Sequence, residues 1–240
     1  VTIDTEMKID TSFNDMLTDG FNINELDSLF QELEFQALQN QLRTLKGETP
    51  SIEKRPEKDY KSLTTIEEIK SFVKSIEEDS WLSFDLETTS LETMSCDIVG
   101  LSFSNRKNTG VYLPIHFKEK ASDLFDDQLS IVLDIIKPIM ENDKIPKTGQ
   151  NIKFDALILK RHGIDVKGIK FDTMIAAHLL KPESRNLKLE TLSLEKLNYR
   201  MVPIEDLIGK GRQQTSMADV ELDKITFYAA EDSDVALQLT

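Results

Sequence analysis

Trp81-Leu82-Ser83-Phe84-Asp85-Leu86-Glu87-Thr88 is an apolar run that ends by delivering two carboxylates one residue apart. Extended backbone alternates its side chains with period two, so a strand here presents Asp85 and Glu87 on one face and Phe84 and Leu86 on the other. Two like charges at a strand end heading for a core are costly unless a metal, a base or water neutralises them. Oxygen-rich ligation of this kind suits hard divalent ions such as Mg²⁺ or Mn²⁺. The same residues also fit an exposed strand end whose acids are simply solvated. What separates the two readings lies downstream.

The chain has 240 residues, enough for one large domain or two small ones with a substantial core. No apolar run approaches membrane-spanning length, and the N-terminus lacks a basic-then-apolar signal pattern. A cytoplasmic chain with no membrane partner is therefore expected. A single cysteine, Cys96, excludes a disulfide framework and any cysteine-rich zinc site. His116, His162 and His178 show no metal-ligand spacing and read as ordinary surface or core residues. Metal chemistry must then run on carboxylates. The net charge of −14 argues against nucleic acid until its distribution is considered. Residues 144–212 carry more Lys and Arg than Asp and Glu, whereas the flanking segments are acidic. That basic third is either a backbone-contacting surface or a solvated lysine-rich face.

Outward from the acid pair, the pattern is that of a compact α/β domain. Thr65 and Glu68 form a capping box for a helix over 66–77. Residues 97–105 and 110–115 read as two strands joined by a polar turn at 106–109, giving an antiparallel meander with the first. A helix follows over 126–140, with Leu129, Ile131, Val132, Leu133, Ile135 and Ile136 mostly buried, then a short strand over 144–148. The next helix starts near Asn151 and is stopped by Gly163, with Asp155 in its first turns where a carboxylate complements the helix dipole. Phe171-Asp172-Thr173 ends another short strand and begins a helix through Leu180, after which Pro182 breaks the pattern. Residues 187–197 are helical, 203–208 are short and apolar, and 209–214 form a basic glycine-containing loop. The last helix, 223–239, places Tyr228 and Asp232 on one face, one turn apart, beside the small Ala229 and Ala230. Upstream, residues 1–10 read as a short strand. Residues 24–45 form an amphipathic helix capped by Asn22 or Asn24, and the proline- and charge-rich stretch 48–60 is a linker.

Three acidic motifs then stand in order: Phe84-Asp85-Leu86-Glu87-Thr88, Asn151-Ile152-Lys153-Phe154-Asp155 and Tyr228-Ala229-Ala230-Glu231-Asp232. Together they resemble the DEDDy class of 3′-to-5′ exonucleases. With Gly168-Ile169-Lys170-Phe171-Asp172-Thr173-Met174 and the Ile208-Gly209-Lys210-Gly211 loop, the resemblance is closest to the proofreading domain of bacterial-type DNA polymerase I, from about Leu63 to Thr240. Residues 1–47 more weakly resemble the C-terminal tail of the preceding 5′-nuclease domain, and 61–240 the exonuclease domain itself. The resemblance implies an α/β fold, an RNase H-like mixed five-stranded sheet flanked by helices, cut from a longer chain whose polymerase domain lies beyond it.

By the same resemblance, Asp85 bridges two divalent ions, Mg²⁺ or Mn²⁺ with Zn²⁺ as an alternative. Glu87 and Asp232 complete one shell, Asp155 holds the second ion, and Tyr228 orients the attacking water with Glu87. The implied substrate is a single-stranded or frayed DNA 3′ end. Thr88, Leu91, Gln150, Asn151 and Ile204 match substrate-contacting positions. The competing readings are core packing for Leu91 and Ile204, and helix capping for Gln150 and Asn151. Phe154 stands where the family frequently has tyrosine. Two other functions fit the same fold: a catalytically silent scaffold, which the complete quintet of acids and tyrosine opposes, and an RNA-trimming nuclease like RNase D.

Overall fold

The computed structural model describes residues 22–33, 35, 38, 42, 57–115, 125–209, 211 and 214–240. The chain divides into two units, Val1–Arg55 and Pro56–Thr240, and the division falls inside the stretch read as a linker. In the first unit, α1 (Ile23–Glu32) begins where Asn22 Oδ1 accepts the Glu25 N–H at 3.4 Å, one of the two caps expected. The strand expected over residues 1–10 and most of the helix expected beyond Glu32 lie outside the described residues.

The second unit is built on one sheet. Its strands are β1 (Asp59–Ser62), β2 (Leu82–Thr88), β3 (Ile98–Ser104), β4 (Thr109–Pro114), β5 (Lys147–Gly149) and β6 (Ile169–Asp172), in the spatial order β1-β4-β3-β2-β5-β6. β2, β3 and β4 pair antiparallel as the expected meander, while β1–β4, β2–β5 and β5–β6 pair parallel. The expected mixed sheet is present with six strands in place of five. The added strand, Asp59–Ser62, falls at the end of the presumed linker. Its sequence Asp-Tyr-Lys-Ser has no apolar alternation, and distant partners hold it instead. It pairs with β4, and buried Asp234 accepts from Lys58 Nζ at 2.6 Å and from the Tyr60 hydroxyl at 2.7 Å.

Helices α2 (Ile66–Ser75), α3 (Phe125–Met140) and α4 (Ile152–Arg161) cover one face of the sheet. The capping box of α2 forms as expected, with Thr65 and Glu68 each accepting a backbone N–H of the other. Leu82, Phe84, Leu86, Leu101 and Phe103 pack there against Ile69, Val132, Ile136 and Ile158. Each such side chain contributes about 1.5–3 kcal/mol relative to exposure. Ile131 departs from expectation and is exposed, because Val132, Ile136 and Ile139 make the stripe that meets the sheet and Ile131 falls beside it.

The other face is covered by α8 (Leu222–Leu239), whose Ile225 and Ala229 pack on Val99 and Tyr112. The small residues noted in this helix have a structural use. A Cβ on Gly110 of β4 would lie 2.9 Å from both the Cβ and the carbonyl oxygen of Ala230, so helix and strand approach to backbone contact. Ser233 and Ser102 share a hydrogen bond of 2.6 Å across the same seam. The described residues also form α5 (Thr173–Leu180), α6 (Leu189–Leu197), the short α7 (Ile204–Ile208) and a 3₁₀ turn at Met217–Asp219. Among the described residues no helix is long and apolar enough to cross a membrane.

Candidate active site

Because β2 has its even-numbered residues in the apolar layer, Asp85 and Glu87 turn toward α8. Glu87 stands opposite Gly100 on β3, and the Tyr112 ring occupies the space a Cβ on Gly100 would need. A register shift between Glu87 and Thr88 bends the strand just past the acid pair.

The third acid reaches the pair because β5 is short. It pairs only with Leu82 and Ser83 of β2, and further along the strand the Leu86 N–H is satisfied by Asp155 Oδ1 of α4 at 3.1 Å. The fourth comes from α8. One oxygen each from Asp85, Glu87 and Asp232 lies within 4.8 Å of the others. Asp85 and Asp232 keep part of their surface accessible, whereas Glu87 and Asp155 are buried.

Burial raises all four acids, and the charge of neighbouring acids adds to it at Glu87, Asp155 and Asp232. Burial pushes the Asp85 carboxyl up to about 7. Glu87 rises through burial and then the Asp85 charge, and Asp155 through burial and Asp85, opposed by the Leu86 N–H. Asp232 rises through burial and the charges of Asp85 and Glu87. Tyr228 is held protonated by burial, then by the charges of Asp232, Glu87 and Asp85. Glu87 Oε1 is buried without a hydrogen-bond partner. A buried oxygen left without a donor, among three carboxylates, fits a hard divalent cation as its missing partner.

The expected substrate contacts divide. Leu91 is 87% exposed, so core packing does not explain it, whereas Ile204 is half-buried at the start of α7. The Thr88 hydroxyl donates to the Ser90 carbonyl at 2.8 Å. Gln150 is taken up within the fold: its amide donates to the Leu187 carbonyl at 2.7 Å, and its oxygen accepts from Thr173. Asn151 adopts φ +54° with no side-chain capping bond, so capping does not account for its side chain either.

Sequence reasoning missed the residues that hold these elements. Asp172 accepts backbone N–H groups from two helix starts. Glu231, beside Asp232, is buried and takes the Tyr199 hydroxyl and the Val202 N–H. An acid just before a helical run, as in Phe171-Asp172-Thr173, is a recognisable cap signal. Nothing local marks Glu231.

A family model described as 3′-5′ exonuclease matches residues 60–240. The chain belongs to this 3′-5′ exonuclease family. The exonuclease is 30% identical over 246 residues to DNA polymerase I of Pseudomonas aeruginosa, covering 99% of this chain and 27% of that protein. It thus spans about a quarter of that relative's length. Among solved structures, Trypanosoma brucei RNase D superposes with a TM-score of 0.57 at 15% identity, over 75% of this chain and 63% of that one. Brucella melitensis NrnC with bound Mg²⁺ superposes with a TM-score of 0.51 at 16% identity, over 75% and 77%. At these identities the likeness concerns the fold, which is the RNase H-like α/β arrangement expected of the exonuclease. The chain is thus a member of an exonuclease family with an acid cluster that suits divalent metal.

Proposed function

We propose that this exonuclease domain hydrolyses the terminal phosphodiester at a single-stranded or frayed DNA 3′ end, releasing 5′-mononucleotides, as the proofreading part of a DNA polymerase I. The observation that carries this reading is the meeting of Asp85, Glu87 and Asp232, with one oxygen of Glu87, Oε1, buried and unpartnered. In the proposed assignment these three hold one of two divalent ions, Mg²⁺ or Mn²⁺, and Asp85 with Asp155 holds the other. When bound, such ions stabilise the attacking and leaving oxygens of an in-line phosphoryl transfer. Tyr228, kept protonated by its burial and then by the acids near it, orients the attacking water together with Glu87. The water oxygen loses a proton and bonds to phosphorus, the bond to the 3′ oxygen breaks, that oxygen takes up a proton from solvent to become a 3′ hydroxyl, and the terminal residue leaves as its 5′-monophosphate.

Exposed Leu91 and half-buried Ile204 fit apolar contacts to the last bases, with Thr88 and Asn151 beside the terminal nucleotide. Only unpaired ends reach a buried site, and unpairing costs least at a mismatch, which gives mispair preference without sequence readout. In the same proposal residues 1–47 are the tail of a 5′-nuclease-like domain, the linker that follows 47 ends ahead of Lys58 and of the strand Asp59–Ser62, and the rest is the exonuclease, with the polymerase domain as partner in the intact protein. The near-complete coverage against the Pseudomonas relative supports this layout.

The test is a degradation assay on 5′-labelled single-stranded DNA, with and without Mg²⁺, alongside Asp85→Ala and RNA of the same sequence. Metal-dependent shortening of DNA, lost in Asp85→Ala, is expected. Absence of shortening would leave a silent scaffold, and faster trimming of RNA would transfer the domain to the RNase D-like reading.

A further inference from the structure

We infer that Asp172 is a positioning residue for the site: its carboxylate sets the entry of α4 and so fixes Asp155 as a metal ligand. The inference rests on the metal-site reading above.

The Asp172 carboxylate joins two helix starts. Oδ1 accepts the N–H groups of Met174 at 2.9 Å and Ile175 at 3.1 Å, the ordinary cap of α5, and also the Asn151 N–H at 3.3 Å. Oδ2 accepts the Ile152 N–H, the first residue of α4, at 3.0 Å. Four backbone donors thus converge on one side chain.

The α4 half of this arrangement needs an external acceptor. Asn151, at the cap position of α4, sits at φ +54° and makes no side-chain capping bond. A helix start leaves its first N–H groups without intrahelical partners, and an acceptor must come from elsewhere. Here it comes from the end of β6. Asp155 lies three residues into α4, and its own carboxylate is placed by the Leu86 N–H at 3.1 Å, between Asp85 and Glu87. A shift at Ile152 is therefore passed to Asp155 by less than one helical turn. Partners that orient a metal ligand matter nearly as much as the ligand, and losing one typically costs about 10–100-fold in affinity.

Asp172→Asn keeps the shape but turns an amide NH₂ toward backbone donors. Asp172→Ser keeps an acceptor for α5 and loses the reach to Ile152. Mn²⁺ binding to this chain is measured by calorimetry for the wild type, each Asp172 variant, Asp155→Asn and the combined variants, with thermal melts to show which are folded. Each Asp172 variant is expected to bind Mn²⁺ about tenfold more weakly. The loss should vanish in the Asp155→Asn background, because Asp172 acts through Asp155. Nuclease activity should need about tenfold more metal while its rate at saturation stays near wild type. Unchanged Mn²⁺ affinity in a folded Asp172 variant, or losses that simply multiply with Asp155→Asn, overturns the inference and leaves the metal site standing. A wild-type chain that binds no Mn²⁺ removes both.

Discussion

The Asp155 carboxylate accepts the backbone N–H of Leu86 at 3.1 Å, and Leu86 is the residue between Asp85 and Glu87. A helix acid is thereby fixed to the strand that carries the other two, by a hydrogen bond that needs no cation. The same bond brings a further carboxylate beside the pair, so the charges of the site oppose one another.

That opposition makes the metal-free protein sensitive to pH. Folding raises these carboxyls above their ordinary values, Asp85 from 3.8 to about 7, so the folded chain holds protons that the unfolded chain has released. Stability should therefore fall as pH rises between about pH 4 and pH 7, where the unfolded state binds fewer protons. Melting temperatures in chelator across this range measure it. Mg²⁺ or Mn²⁺ should raise the melting temperature by binding the native state, and more so at the alkaline end.

Asp85→Asn should abolish metal-dependent nuclease activity while stabilising the metal-free chain by at least about 1 kcal/mol, the equivalent of roughly one pKa unit. Urea unfolding in chelator at pH 7.5 reads the second effect. An unchanged midpoint would mean that burying the Asp85 carboxyl does not cost what its raised pKa implies.

Tyr228→Phe removes a hydroxyl that stays protonated among the acids. The rate at saturating metal should fall roughly 10- to 100-fold with Mn²⁺ affinity unchanged, as for an orienting group that is not itself a ligand. The comparison needs only calorimetry beside single-turnover hydrolysis.

Gly110→Ala should destabilise the fold by about 1–3 kcal/mol, since the new Cβ meets Ala230 backbone that cannot swing aside. Ala230 lies between Tyr228 and Asp232, so weakened metal binding should accompany the loss. Chemical unfolding and Mn²⁺ titration of one preparation test both.

Leu91→Ala should leave stability within about 0.5 kcal/mol, because the side chain is 87% exposed. Its effect should appear on mismatched 3′ ends, with hydrolysis slowed relative to wild type. Equal rates for the two proteins would take Leu91 out of substrate contact.

Elements with a local signature were legible in the sequence. β2 showed itself by alternation, α2 by Thr65 and Glu68, and α4 by its start near Asn151 and its stop at Gly163, which adopts φ +83°. The acids could be nominated for the same reason, each sitting in a short recognisable motif. What escaped depends on partners far along the chain. Asp59–Ser62 is a strand because β4 and Asp234 hold it, and no apolar pattern announces that. Glu231 is buried because Tyr199 and Val202, 32 and 29 positions away, meet its oxygens. Asp172 carries a cap signal for α5, but its second role appears only when β6 ends beside α4.

Asp234 also decides where this nuclease can be cut free. Its carboxylate lies fully inside the sheet unit and takes Lys58 Nζ and the Tyr60 hydroxyl, both upstream of residue 61. A fragment trimmed to begin there would strand a buried anion without its counter-charge, a loss of the kind that costs several kcal/mol. The shortest self-standing piece must begin ahead of Lys58, so the tether's last residues belong to the body they tether.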